Sequence, residues 1–431
     1  MKASGASLFL SLACSLLPAS LWAGEQNATI LFDAQQVAAE KVSSKESLDA
    51  YLSELKRKQF GYDYEKVKHD SAMLRDSWIM PIRLQYSLTR ENPNHEYGSK
   101  QTEFQSAAIV LDQPIFRSGG IYYGIKFAQA SRDYSNYSIG QQRRIMIKTA
   151  VELLMQIKQS ELGIEKQMLQ IANSQINLEQ KREQYLNGQL DSGFLNNAII
   201  EKNIVTQTLY DLETAKQRLV TQFGNISDMD YKEAKIPFLA MLDEEKFLKY
   251  NIDLKLISSR IERDRYNKNL TLAKYLPVVS IQGSYNWQRG ERSFGQQIAQ
   301  ILDTKYYRYG FSASMPLDVN SYNDYESARI DYMKSLVVID DKKRELKALY
   351  EQVMQNLENY NKKIALAEEN RQLYATLLDE TEGLYRAGYK TEYDVDTLKN
   401  SEKIQRINKR IYEIDKQLEL LNLYEKLTGE I

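Results

Sequence analysis

Tyr185-Leu186-Asn187-Gly188 in the first half of the chain recurs in the second half as Tyr385-Arg386-Ala387-Gly388. Each block closes a long stretch without proline and opens another. Upstream, Gln113-Pro114-Ile115 recurs as Met315-Pro316-Leu317, and before these Met80-Pro81-Ile82 recurs as Leu276-Pro277-Val278. Three correspondences in the same order identify an internal duplication. Each half therefore reads as a strand pair, a long helix, a glycine turn and a returning helix. Gly188 and Gly388 suit the turns, because glycine tolerates the positive φ that ends a helix.

The stretches on either side of these turns are helical in pattern. Ile157, Ile164, Ile171, Leu178 and Tyr185 recur every seventh residue, with Leu154 and Met168 on an offset seam. Beyond the second turn, Ile404, Ile407, Ile411, Ile414, Leu418 and Leu421 form a cleaner seam, and Leu346, Val353, Tyr360 and Tyr374 precede it. Such seams are those of coiled coils. A helix from Gly120 to Asn187 would be roughly 100 Å long at 1.5 Å per residue, so it must pack along its length. Leu190–Phe223 and Asp243–Lys274 are each about half as long and could stack end to end, and the stretch 30–75 supplies a further half-length partner.

Between the helices the period changes to two. Ile82, Leu84, Tyr86 and Leu88 alternate with polar residues, as do Val279, Ile281, Tyr285 and Trp287, and Tyr307, Tyr309, Phe311 and Met315. Ala107, Ile109 and Leu111 supply the fourth strand. Polar segments 90–102 and 288–304 would link each pair as a hairpin. One reading is a sheet with one face in a soluble core. The other is a membrane barrel, with apolar residues toward lipid and polar ones toward water. In the second reading Trp78, Trp287, Tyr306 and Tyr307 would be interface aromatics. Four strands cannot close a barrel with a wet interior, and an open edge in lipid is costly, so several copies would share one barrel.

Composition narrows the function. Lys and Arg number 57 against 58 Asp and Glu, which gives no basic surface for nucleic acid. Only 7 Pro and 19 Gly fit long elements. The 30 Tyr are an excess that suits membrane boundaries or helical core packing alike. Two His, at 69 and 95, lie apart from any ligand set, and there is no Gly-rich phosphate loop, so neither an enzyme nor a cofactor or metal site is expected. Lys2, the apolar run Ala6–Leu17 and Leu21-Trp22-Ala23 read as an export signal cut after Ala23, against the alternative of a buried N-terminal helix. The one cysteine, Cys14, lies within it, and Ser11 and the continuing apolar run argue against its lipidation.

This combination resembles the TolC family of outer-membrane efflux and secretion channels across essentially the whole mature chain. The most specific stretch is Leu384-Tyr385-Arg386-Ala387-Gly388-Tyr389-Lys390-Thr391-Glu392-Tyr393-Asp394-Val395, similar to the family's second helical tip. Tyr275-Leu276-Pro277-Val278 and Gly310–Leu317 support it. The resemblance implies a mainly α protein with a small β part: a long coiled-coil-like α-helical barrel continued by a shared, trimeric, twelve-stranded antiparallel β-barrel, four strands per chain. It implies a homotrimer in the outer membrane, mostly periplasmic, docking a periplasmic adaptor (a membrane fusion protein) and an inner-membrane pump. The corresponding segments are 1–23 signal, 24–77 N-terminal helix, 78–116 first β-hairpin, 117–224 first helical hairpin, 225–243 equatorial segment, 244–275 helix, 276–318 second β-hairpin and 319–431 second helical hairpin.

In the family an Asp of the tip constricts the closed entrance. Asp394 stands at that position, and Tyr385 and Lys390 match the family's aromatic and basic positions. The family's second tip Asp falls at Thr397, while Asp396 lies one residue earlier. Tyr185, Gly188, Gly388 and Thr391 would form the tips that meet an adaptor. Cargo stays open among small molecules, secreted proteins and metal ions, and a soluble periplasmic coiled-coil scaffold is the rival of a different class.

Overall fold

Among the described residues two helices are far longer than the rest. The computed structural model describes residues 48–91, 102–294 and 297–428. Residues 48–50 belong to a separate amino-terminal unit, and the fold below is that of the unit from Tyr51 onward. The signal, Cys14, His95 and the hairpin link 92–101 lie outside the described residues.

In chain order the elements are α1 (Glu54–Asp76), β1 (Arg83–Glu91), β2 (Thr102–Phe116), α2 (Gly120–Leu186), α3 (Ser192–Gly224), α4 (Glu244–Lys249), α5 (Ile252–Lys274), β3 (Val278–Phe294), β4 (Gln297–Ser314), α6 (Ser321–Arg386) and α7 (Glu392–Tyr424). At 67 and 66 residues, α2 and α6 are each about 100 Å long. Next to the sheet the helices pack in the order α1-α2-α5-α6, and toward the glycine turns in the order α3-α2-α7-α6. Half-length helices thus pair above and below along two continuous rods. The strands form one antiparallel sheet in the order β1-β2-β3-β4. That order repeats the order of the helices into which the strands run, so sheet and helical layer form one continuous wall. At the β2–α2 junction Ser118 (φ 47°) and Gly119 (φ 87°) are both left-handed, and the Ser118 hydroxyl donates to the Pro277 carbonyl at 2.7 Å. The first repeat is pinned there to the entry of the second.

The core sits where upper and lower helices meet. Val151, Leu154, Met155 and Ile157 of α2 are fully buried, as are Leu346, Val353 and Leu357 of α6 and Leu421 and Leu423 of α7. The tyrosine excess finds part of its use here. The hydroxyls of Tyr51, Tyr350 and Tyr424 donate to the carbonyls of Lys235, Leu242 and Ala240, holding segment 225–243 against the rods. Each ring stays in the apolar layer while its hydroxyl satisfies a loop carbonyl.

Three expectations need correction. The polar segment 288–304 is not a link: β3 runs to Phe294 and β4 starts at Gln297. A two-stranded ladder is held by backbone hydrogen bonds and continues where facial hydrophobicity, the sequence signal, has ended. The helix expected from Asp243 to Lys274 is broken at Tyr250, because the buried Asn251 side chain accepts from the amides of Asp253 and Leu254 and starts a new helix. Met168 is 52% exposed although Leu154 is buried. A straight helix drifts about 20° per heptad, so two heptads carry Met168 off the seam.

Candidate channel wall and helical tips

Strand register separates the sheet into two chemically distinct faces. One face carries the rows Leu84–Ile109–Tyr285–Tyr307, Leu111–Gly283–Tyr309, Gln113–Ile281–Phe311 and Val279–Ala313. Its upper row is Tyr86–Ala107–Trp287–Lys305, and the Trp287 indole donates to Asp303 at 2.7 Å. Leu84, Tyr86, Tyr307, Tyr309 and Phe311 are exposed. The other face carries Gln85–Ala108–Asn286–Tyr306, Ser87–Ser106–Gln288–Thr304 and Ser280–Ser312. A sheet in a soluble core would bury its apolar face; this one leaves it open.

Tyr306 therefore departs from its expected place. It shares the polar face, its ring 5.2 Å from the Arg308 guanidinium, because neighbouring residues of a strand point to opposite sides. Tyr307, one residue on, lies in the apolar band. Trp287 sits at the far end of that band, and Trp78 lies beside the α1–β1 junction, where its carbonyl accepts from Gln113.

Among the described residues β1 pairs only with β2 and β4 only with β3, which leaves both sheet edges open. The helical wall has matching open edges. On α6, Leu366, Leu373, Leu377 and Leu384 form an exposed stripe with heptad spacing, with Ile330, Met333 and Val337 above it. On the opposite edges α1 exposes Leu55, Tyr62 and Met73, and α3 exposes Ile200, Ile204 and Tyr210. The α6 stripe escaped the sequence reading. Its spacing was visible, but α6 carries several overlapping heptads and only packing shows which of them the chain itself fills.

Both tips are built alike. Gly188 (φ 69°) and Gly388 (φ 82°) are left-handed, and the amides of Gln189 and Tyr389 donate five residues back to Gln184 and Leu384. These are Schellman endings, which need a residue tolerant of positive φ. The following helix starts at Asp191 in the first tip, whose carboxylate accepts from the Gly193 amide, and at Thr391 in the second. Thr391 and Asp394 form a capping box: Thr391 Oγ1 accepts from the Asp394 amide, and Asp394 Oδ2 accepts from the Thr391 amide at 3.0 Å and lies 2.9 Å from Oγ1. These bonds from Thr391 hold the Asp394 carboxyl below the usual carboxylate range, so it stays charged. Tyr385, Lys390 and Asp396 are exposed. Tyr389 is 80% exposed, and Leu186 and Phe194 of the first tip are exposed as well.

The two tips are joined by a bond that the sequence reading missed. Tyr393 Oη donates to Glu183 Oε1 at 3.1 Å, from α7 to α2. Farther along the same seam, Asn400 donates to Asn173 at 2.8 Å and Gln159 to Asp415 at 2.6 Å. Within the second hairpin, by contrast, α6 and α7 meet through buried Val353, Leu357, Ile407 and Leu421, reinforced by Glu368 between Arg371 and Lys409. The first hairpin carries polar links of its own, from Gln167 to the Val205 carbonyl at 2.7 Å and between Lys216 and Glu161 at 3.1 Å.

Among the described residues no group of His, Cys, Asp and Glu is arranged to hold a metal ion, and no helix is long and apolar enough to cross a membrane. No protein-family model and no curated protein sequence matches the chain. Solved structures do. The outer membrane protein VceC of Vibrio cholerae is 13% identical, with TM-score 0.66, covering 86% of this chain and 93% of its own. The CmeC outer membrane channel of Campylobacter jejuni is 12% identical, with TM-score 0.68 and coverages of 88% and 84%. The MtrE outer membrane channel of Neisseria gonorrhoeae, in its open state, is 11% identical, with TM-score 0.58 and coverages of 86% and 85%. Over nearly its whole described length the chain has the fold of TolC-type outer-membrane channels.

Proposed function

We propose that this chain of TolC-type fold is one protomer of a homotrimeric outer-membrane channel, the passive exit duct of a tripartite export system, and not an enzyme. One observation carries the reading: a sheet with an exposed apolar face, a polar opposite face and two open edges that continues strand by strand into a helical wall with open edges of its own. In the up-and-down order of this sheet, β4 of one copy would run antiparallel to β1 of the next, so copies can close a barrel without changing topology. The apolar band from Val279 to Trp287 is about 27 Å along the strand, or roughly 20 Å of height at a 40° tilt, close to the apolar belt of outer-membrane barrels.

In this reading the apolar face meets outer-membrane lipid and the polar face lines water. The α6 stripe of one copy packs on α1 and α3 of the next, and most of the chain lies in the periplasm. The tips, with Tyr185, Gly188, Gly388 and Thr391 at their turns and Leu186, Phe194 and Tyr389 exposed, dock the periplasmic adaptor that leads to an inner-membrane pump. Asp394 with Tyr385 and Lys390 lines the entrance. Asp396 is one residue off the expected face and is its outlying member. Drug-like small molecules are the cargo favoured, and the same duct could serve protein secretion or metal efflux.

Fractionation tests the reading. The mature protein should sediment with outer membranes, require detergent for extraction, run as a trimer and form channels in planar bilayers. A water-soluble monomer without affinity for lipid would overturn it. Drug, metal and secreted-protein phenotypes of a deletion strain then identify the cargo.

A further inference from the structure

The polar face of the sheet is neutral in most of its rows and strongly charged in one. Gln85–Ala108–Asn286–Tyr306 and Ser87–Ser106–Gln288–Thr304 carry no charge. The next row toward the helices reads Arg83–Val110–Ser284–Arg308, with a guanidinium at each edge of the sheet. Both arginines are exposed, and neither is held in an ion pair among the described residues. Arg308 donates to the Tyr306 hydroxyl at 3.3 Å and lies over the same ring, which steadies it without neutralising it. The acid nearest in register is Asp112, one row farther on and opposite Gln282; its Oδ1 is buried in the wall without a hydrogen-bond partner.

We propose that Arg83 and Arg308 form a basic belt inside the barrel that favours anionic solutes, a selectivity site within the duct. The inference rests on the channel reading, which turns the polar face toward water. Three copies would then place six guanidinium groups against three Asp112 carboxylates, a net charge of about +3, in a belt roughly 10 Å tall at a strand tilt near 40°. With the charges about 10 Å from the axis and a Debye length of about 8 Å, such a belt favours anions over cations roughly threefold. No other row from the Ser280–Ser312 level to the Gly290 level opposes it, since the remaining residues of that face are neutral. The substrate class this fits is the small organic or inorganic anion, or a cargo with an anionic group that passes head first.

Reversal potentials test the belt. Purified full-length mature protein in phosphatidylcholine bilayers, under a KCl gradient, is compared with the Arg83→Gln/Arg308→Gln variant. The chloride-to-potassium permeability ratio should fall at least threefold in the variant, while Arg83→Lys/Arg308→Lys keeps it. The tip carboxylates are common to all three and cancel. Conducting channels with an unchanged ratio would overturn the belt and leave the channel reading standing. Absence of channels from the wild-type protein would overturn the channel reading, and the belt with it. A measurement on the wild type alone covers a variant that fails to insert. Pyrophosphate added to the barrel side should block chloride current, and no block would overturn the belt.

Discussion

The Tyr393 hydroxyl donates to the Glu183 carboxylate at 3.1 Å, tying the second helical tip to the first across the seam between the hairpins. Asn400–Asn173 and Gln159–Asp415 are further polar links on the same seam. An exposed link of this kind is weak, enough to bias two arrangements of the tips but not to lock either. Tyr393→Phe should therefore raise single-channel conductance or opening frequency in planar bilayers with little change in melting temperature. Unchanged conductance would remove this bond from any gate.

Asp394 caps α7, and in the proposed channel it also presents charge at the entrance. Asp394→Ala removes both and should destabilise the start of α7 by about 1 kcal/mol while raising conductance and weakening block by divalent cations. Asp394→Ser retains an acceptor near the cap and discards the charge, so it isolates the second effect. If both variants conduct and are blocked like the wild type, the carboxylate acts only as a cap.

Gly388 has open space around its missing side chain, so replacing it meets no clash. The cost of Gly388→Ala is then the backbone's alone, about 1–2 kcal/mol for holding an L-residue at φ +82°. Hydrogen exchange should quicken at the second tip and stay unchanged near Leu357. A variant as protected as the parent would contradict the left-handed turn.

On the open edge of α6, Leu373 is 56% exposed within one protomer. Leu373→Asp should leave the helical content of the protomer intact while lowering the resistance of the proposed trimer to dissociation in detergent. Native electrophoresis reads this directly. A trimer that survives as well as the wild type would place the α6 stripe outside the interface.

Glu368 accepts from Arg371 and Lys409, and these bonds lower its carboxyl from 4.5 to about 2. A carboxylate with a depressed folded-state pKa stabilises the folded protein above its ordinary value, and that contribution is lost as pH falls from about 4.5 through about 2. Glu368→Gln should therefore lower stability at neutral pH and flatten the acid limb, so that the two curves converge as pH falls through this window. Parallel curves for both proteins would mean that the α6–α7 staple carries no linkage.

Much of the architecture was legible before any coordinates. Gly188 and Gly388 mark the turns because positive φ selects glycine chemically, and the period-two runs around Tyr285 and Phe311 mark strands because a pleated backbone alternates its side chains. The ends of β3 and β4 were not legible, since ladder hydrogen bonds run on after the apolar pattern stops. Tyr306 and Tyr307 were placed together because they are sequence neighbours, and register put them on opposite faces. The Asp394 capping box was readable as a charge at a helix start. The Tyr393–Glu183 bond was not, because no local rule pairs residues so far apart in the chain.

Local chemistry in the sequence, then, determined which elements form, where they turn and that one copy leaves apolar seams without partners. Periodicity and glycine position are properties of neighbouring residues. Which seams the protomer fills itself, which it leaves open, and that Arg83 and Arg308 share one row were decided by packing and strand register alone. Those relations join residues distant in the chain, and only the folded backbone brings them to a common level.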